Sequence, residues 1–202
     1  MTVVTSLRVQ KKEATRQRIL GTALRLFSKS GFEKPTVEEI AAAAGVGKGT
    51  IYNYFRTKED ILVAFMCQQE ERVQERVRRM LTRDLDAASL LTLYLREHFK
   101  LKRPYRQFSR VFLSQIIMRG AEIAPYIDAM QPTVDKTLKS LFEHLCVRGR
   151  IRKDVDIEGT ILAFKTMHLG ISAVWAMRNL TGHQTDELCE GSVRLFCRGL
   201  ER

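Results

Sequence analysis

Proline and glycine are scarce in this 202-residue chain, at 4 and 12 residues, while 45% of it is apolar. That balance excludes collagen-like, low-complexity and disordered classes. No run approaches ~18 uninterrupted apolar residues, so no membrane-crossing helix and no membrane partner are expected. The first 20 residues lack an apolar core segment and carry charges throughout. They do not read as a secretory leader, and a cytoplasmic location is expected. Cysteine is sparse as well. Cys67, Cys146, Cys189 and Cys197 form no Cys-x-x-Cys pair, and His98, His144, His168 and His183 show no zinc-type spacing. Reduced thiols packed in the interior are expected, with no metal and no cofactor. No nucleophile elbow, phosphate-binding glycine loop or acid/base pair at a known spacing occurs, so catalysis is not expected. Acidic residues are in deficit: 23 Asp+Glu face 34 Lys+Arg, a net charge of +11. That excess suits a polyanionic partner such as nucleic acid, an acidic surface or an anionic ligand.

What is present is helical spacing almost throughout, without strand-type alternation, so an all-α fold is expected. The length fits one large domain or two small ones. Residues 1–10 carry no clear period and are expected to fray. A first helix is expected from about Lys12 to Ser30. Leu20, Ala23, Leu24 and Phe27 fall on one face, with Arg18, Thr22, Arg25 and Lys29 on another, and Gly31 is the stop. Thr36 and Glu39 make a capping box for a short helix that Gly45 ends. After Gly45-Val46-Gly47 a third short helix is expected from Lys48 to about Tyr54. The fourth begins at Thr57, with Asp60 in the capping-box position, and runs to about Arg83, or ~39 Å. Its charged middle suits a rod between two cores. Five more helices are expected at roughly 86–102, 104–118, 122–147, 156–181 and 185–200. Pro104 suits a helix start. Pro125 and Pro132 should interrupt or kink the 122–147 helix, and Gly149 and Gly182 should act as stops.

Two short helices joined by a glycine-containing turn are the helix-turn-helix pattern, whose second helix lies in the DNA major groove. Val46, Ile51 and Phe55 would face the small core, leaving Lys48, Gly49, Thr50, Tyr52 and Asn53 outward. Lys48 can reach a phosphate or a guanine edge. Thr50 can meet a base or a thymine methyl, and Asn53 an adenine or a phosphate. Gly49 weakens the helix by roughly 1 kcal/mol relative to Ala, and its bare backbone allows close approach to DNA. The helix headed by Thr36 can offer amide N–H groups to a phosphate, and Lys58 can clamp the flanking backbone. The same two helices could serve packing alone. The 11 basic and 6 acidic residues of 1–60, a net +5, weigh toward DNA.

The run RQRILGTALRLFSKSGFEKPTVEEIAAAAGVGKGTIYNYFRTKEDIL, residues 16–62, closely resembles the DNA-binding domain of the TetR/AcrR family of bacterial transcriptional regulators. The segments A-x-x-L-F, G-F, T-V-E-E-I-A, A-G-V-x-K-G-T-I-Y-x-Y-F and K-E-D-I-L occur in order. By this resemblance Thr36, Lys48, Thr50, Tyr52, Tyr54 and Lys58 occupy the family's DNA-contact positions. Gly47 stands where the family often has Ser, which removes a Ser-to-phosphate contact and leaves a fair N-cap. The resemblance implies an N-terminal three-helix, homeodomain-like domain over residues 1–56, with its motif at about 36–55. A helical ligand-binding and dimerisation bundle over 57–202 would follow.

The 156–181 helix carries two apolar stripes. Ile157, Ile161, Phe164, His168, Ile171 and Trp175 form one; Leu162, Leu169, Ala173, Ala176 and Leu180 form the other. A helix apolar nearly all round is buried on two sides. The last helix adds Cys189, Val193, Phe196 and Leu200. These residues read equally as an internal core. The resemblance points to a homodimer contact, with Leu162, Leu169, Ala173, Phe196 and Leu200 as its candidates. Phe112, Phe164, Met167, His168 and Trp175 are candidate ligand residues, each of which also reads as core packing. The basic runs Lys100 to Arg106 and Arg148 to Lys153 read as solvated turns. Around an apolar cavity they would also suit an anionic amphiphile such as a fatty acyl thioester. The expected function is a sequence-specific regulator bound to double-stranded DNA at a near-palindromic operator. It would be a repressor released by a small apolar or amphipathic effector. The alternative is a DNA-bound interaction protein without a small ligand.

Overall fold

A computed structural model describes residues 7–119 and 124–200, and every element among them is helical. The chain divides into two compact units that meet between Phe65 and Met66.

The first unit holds α1 (Leu7–Ser30), α2 (Val37–Ala43), α3 (Lys48–Tyr52) and the first turns of α4 (Lys58–Met80). α1 starts five residues earlier than the apolar period suggests. Leu7 and Val9 are exposed and bury nothing, so no period marks this stretch. It is nonetheless free of Gly and Pro and rich in good helix formers, which lets the helix propagate outward. Thr22, expected on the polar face, is buried, and its hydroxyl accepts a 2.9 Å bond from Arg25 Nη2. Gly31 ends α1 at φ +85°, a conformation that favours glycine. Thr36 caps α2 reciprocally: the Glu39 N–H donates to Thr36 Oγ1 at 3.1 Å and the Thr36 N–H to Glu39 Oε2 at 2.8 Å. α3 is shorter than expected, closing at Tyr52 with Asn53 as its C-cap. α1 packs on α2 and α2 on α3. Ile19, Leu20, Ala23, Phe27, Phe32, Ile40, Ile51 and Phe55 are all buried, and the Phe27 and Phe32 rings lie 5.0 Å apart. At the head of α4 the Asp60 carboxylate accepts from the Arg56 and Thr57 N–H groups at 2.7 and 3.0 Å.

The second unit continues α4. It adds α5 (Ala87–Lys102), a 3-10 turn at Arg103–Tyr105, α6 (Arg106–Arg119), α7 (Ala124–Val147), α8 (Ile157–Arg178) and α9 (Gly182–Cys197). α5 packs on α9, and α8 on α6, α7 and α9. Gly182 and Pro132 act otherwise than expected. Asn179, left-handed at φ 51°, ends α8, and Gly182 begins α9 behind a Thr181–Gln184 capping box. α7 runs unbroken through Pro132, which lies on its exposed side, where a carbonyl left without a donor can meet water. Pro125 falls in the first turn, where no donor is needed. The 122–123 start expected for this helix, and residues 1–6, lie outside the described residues. No disulfide joins the four cysteines among the described residues, and burial pushes the Cys189 thiol up to about 12.

α8 differs from the sequence expectation in one respect. It is long and apolar enough to cross a membrane by length and composition, at mean hydropathy 1.2. One such helix is weak evidence, and Phe164, Ile171, Trp175 and Ala176 bury its other side in the core.

Candidate nucleic-acid interface and effector cavity

Ile51 and Phe55 are buried and Val46 is half-buried, so α3 stands on the small core by one side. Lys48, Gly49, Thr50, Tyr52 and Asn53 are all exposed, and Tyr54 is half-buried. A residue absent from the sequence-based set organises this surface. Glu38 of α2 accepts from Tyr52 Oη at 2.8 Å, and Lys48 Nζ lies 3.1 Å from the same carboxylate oxygen. The Tyr52 hydrogen bond, a backbone N–H and Lys48 hold the Glu38 carboxyl down to about 2. The same contact raises Lys48 and Tyr52 above their ordinary values. Glu38 therefore holds both Lys48 and Tyr52, and an anion binding Lys48 would have to displace it. No local sequence signal ties Glu38 to the next helix.

Thr36 is exposed and its hydroxyl is engaged as the α2 cap. Lys58 is more enclosed than expected. Its ammonium donates to the Phe32 and Glu33 carbonyls at 3.1 and 2.6 Å and lies 5.1 Å from the Phe32 ring centroid. With 19% of its side chain exposed, it braces the 32–33 turn.

The second unit encloses a cavity of about 360 Å³, within the ~300–1,000 Å³ range of small-molecule sites. Its wall is mostly apolar and comes from five helices: Met66 on α4, Phe99 on α5, Phe112 and Leu113 on α6, Val134 on α7, and Leu169 and Trp175 on α8. Three of the five expected ligand residues, Phe112, His168 and Trp175, line it. Phe164 and Met167 do not. The Phe164 ring is packed among Tyr94, Phe142 and Phe196 at 5.4–5.8 Å, and Met167 lies against the same core. Of the polar part of the wall, sequence reasoning named His168 and missed Glu70 and His98. Lys102 Nζ meets Glu70 Oε1 at 2.5 Å, both side chains being nearly fully buried. His98 Nδ1 lies 3.8 Å from Glu70 Oε2, and the His98 and His168 rings are 4.1 Å apart, edge to face. Burial drives both imidazoles well below their ordinary pKa, so they are neutral. Lys102 and Arg106 are not the solvated turn residues expected. The Arg106 guanidinium lies over Trp175, 4.7 Å from its ring centroid, and donates to the Leu180 carbonyl at 2.5 Å. Arg110 donates to the Ala176 carbonyl at 3.0 Å. Both cations close the C-terminal end of α8, where unpaired carbonyls favour positive charge.

The five dimer candidates separate. Leu162 and Leu169 are 64% and 51% exposed, although both also border the cavity. Ala173 is half-buried. Leu200 is buried, and Phe196 packs its ring against Phe142 and Phe164, so both serve the chain's own core. Met177 and Leu195, each 67% exposed, were not in the sequence-based set.

Residues 19–65 match the family described as bacterial regulatory proteins, tetR family. The chain is 24% identical over 149 residues to the fatty acid metabolism regulator protein of Bacillus subtilis, covering 74% of this chain and 77% of that one. It is 27% identical over 177 residues to the HTH-type transcriptional repressor AcnR of Corynebacterium efficiens, covering 87% of each. Among solved structures, Thermus thermophilus FadR, a TetR-family repressor in complex with lauroyl-CoA, superposes with a TM-score of 0.77 at 24% identity. That match covers 91% of this chain and 94% of that one. The shared architecture is an N-terminal helix-turn-helix domain followed by a helical C-terminal domain.

Proposed function

We propose that this chain, whose residues 19–65 carry the tetR-family pattern, is a DNA-binding transcriptional regulator, a homodimeric repressor that leaves its operator when a small molecule fills the cavity. The observation that carries the reading is the exposed row Lys48, Thr50, Tyr52 and Asn53 on a helix anchored by buried Ile51. Nothing in that row contributes to the core. Thr50 and Asn53 supply base-reading chemistry, Lys48 meets phosphate, and Gly49 lets the backbone approach. The functional division runs at 56/57, with DNA contact before it and effector binding and dimerisation after it. Exposed Leu162, Leu169, Met177 and Leu195 on α8 and α9 form the apolar surface for a second copy, since soluble monomers seldom leave a large patch open. The protein works in the cytoplasm, where its DNA is.

The effector is apolar or amphipathic. The cavity wall supports this, and so does the lauroyl-CoA held by the similar Thermus thermophilus protein. An acyl thioester is therefore the first candidate. The ligand must bind the DNA-released form better, since only differential affinity shifts a population. An interaction protein without a ligand would fill its C-terminal core, and the cavity speaks against that alternative.

Selection from a random duplex pool tests the reading. Full-length protein should enrich a near-palindrome with half-sites about 34–36 Å or a multiple apart. Binding should weaken steeply with salt, and lauroyl-CoA should release the duplex. Failure to enrich any sequence would overturn the proposal.

A further inference from the structure

The cavity wall holds more polar chemistry than an alkyl chain can use. Ser109 on α6 is 6% exposed, and its Oγ has no hydrogen-bond partner among the described residues. His98 on α5 is 2% exposed, with Nδ1 lacking a hydrogen bond among the described residues, and His168 on α8 buries Nε2 in the same condition. All three residues line the one cavity. Buried polar atoms in folded proteins are nearly always paired, so three gathered from three helices need an explanation. The charges of this wall are already matched. Glu70 holds Lys102, and Lys165, the other charged wall residue, holds Asp135 at 2.8 Å. An anionic group entering here would be buried without a counterion, which is unfavourable. A bare hydrocarbon would leave the polar atoms unpaired.

We infer that the part of the effector lodged in this cavity carries an uncharged hydrogen-bonding oxygen, a hydroxyl or a carbonyl, taken up by Ser109 and His168, with its remaining body apolar. A serine hydroxyl donates or accepts, and a neutral imidazole offers one donor and one acceptor, so either oxygen finds a complement. Phe99, Phe112 and Trp175 supply the apolar wall. Any charged group of an amphipathic effector then stays outside the cavity. This inference rests on the reading of the cavity as the effector site and narrows the ligand class.

The chain has a single tryptophan, and Trp175 lines the cavity, so its fluorescence reports occupancy directly. Three probes of similar bulk suffice: butylbenzene, para-butylphenol and para-butylbenzoate. Full-length protein should bind para-butylphenol about tenfold more tightly than butylbenzene, and para-butylbenzoate most weakly. The double variant Ser109→Ala, His168→Phe should lose the preference for the phenol while still binding butylbenzene. If circular dichroism shows that variant unfolded, Ser109→Ala alone should shrink the preference about threefold. Equal affinity for phenol and hydrocarbon, a preference untouched by the variants, or no fluorescence response to any probe would overturn the inference. Release of an enriched duplex is read separately. Phenol that occupies the cavity without releasing DNA sinks the effector reading and leaves the ligand class standing. Release driven equally by the hydrocarbon or the benzoate sinks the ligand class and leaves the effector reading.

Discussion

In the first unit the side chains that carry chemistry stand in the open on a five-residue helix that buries only Ile51. In the second, Glu70, His98 and Lys102 lie almost wholly enclosed by apolar neighbours from other helices. The contrast follows from what each site would meet. A duplex is a large external surface, so its contacts need exposure, spacing and a rigid mount. A small effector needs enclosure, which only several helices together provide. Damage to the two sites should therefore differ in kind: in the first unit it should alter binding with the fold intact, and at the buried residues of the second it should alter the fold as well.

The largest expected effect is in the second unit. Phe164→Ala removes the ring that Tyr94, Phe142 and Phe196 surround, and should lower stability by about 3–5 kcal/mol in urea titration. A loss under about 1 kcal/mol would mean the core can collapse around the gap. Leu169→Glu adds a charge to an exposed position and should leave the fold intact. It should yield monomers at micromolar protein in sedimentation, with specific DNA binding lost. An unchanged dimer would move the subunit contact elsewhere on the chain.

The two units should also lose stability in different pH windows. His98 and His168 are neutral when folded and protonate freely when unfolded. Below their ordinary pKa of ~6.5 the unfolded chain binds more protons, so stability falls as pH falls. The slope reaches up to about 1.4 kcal/mol per pH unit for each histidine. Glu38 behaves as a depressed carboxylate. Its contribution is present above the ordinary carboxylate range and is lost as pH falls toward about 2. Urea midpoints for the second unit should therefore drop between about pH 7 and pH 5, before Glu38 titrates. A flat midpoint there would contradict buried neutral imidazoles.

Much of the first unit was legible in the sequence because its signals are local. The Thr36–Glu39 box, Gly31, Gly45 and the Lys48–Asn53 row each lie within a few residues of the feature they determine. Glu38 escaped notice because its partners sit on the next helix, and Lys58 was read only as a clamp on flanking DNA because its carbonyl partners lie in a distant turn. In the second unit the helices were legible from their spacing, but the cavity was not. Phe112 and Trp175 line it while Phe164 does not, and helical periodicity treats all three alike. The Glu70–Lys102 pair joins residues 32 apart in sequence, so local pattern reading has no access to it.

Smaller changes sharpen the contrast. Thr36→Ala should cost about 1 kcal/mol through the lost cap, read as the melting shift of the first unit. At Gly49 a Cβ would meet nothing within 4 Å in the free protein, so Gly49→Ala should stabilise α3 by roughly 0.5–1 kcal/mol. Its affinity for an enriched duplex should nevertheless fall, because on the proposed reading the added methyl would stand between α3 and the DNA. Stabilisation with unchanged affinity would remove Gly49 from the interface.

The central claim is that each chain supplies one reading helix and that two chains share one duplex. The mass of the complex formed by full-length protein with its enriched duplex, measured by native mass spectrometry, tests this most directly. The account predicts two chains per duplex, with Leu169→Glu forming no specific complex at the same concentration. One chain bound to one duplex at full affinity would contradict it.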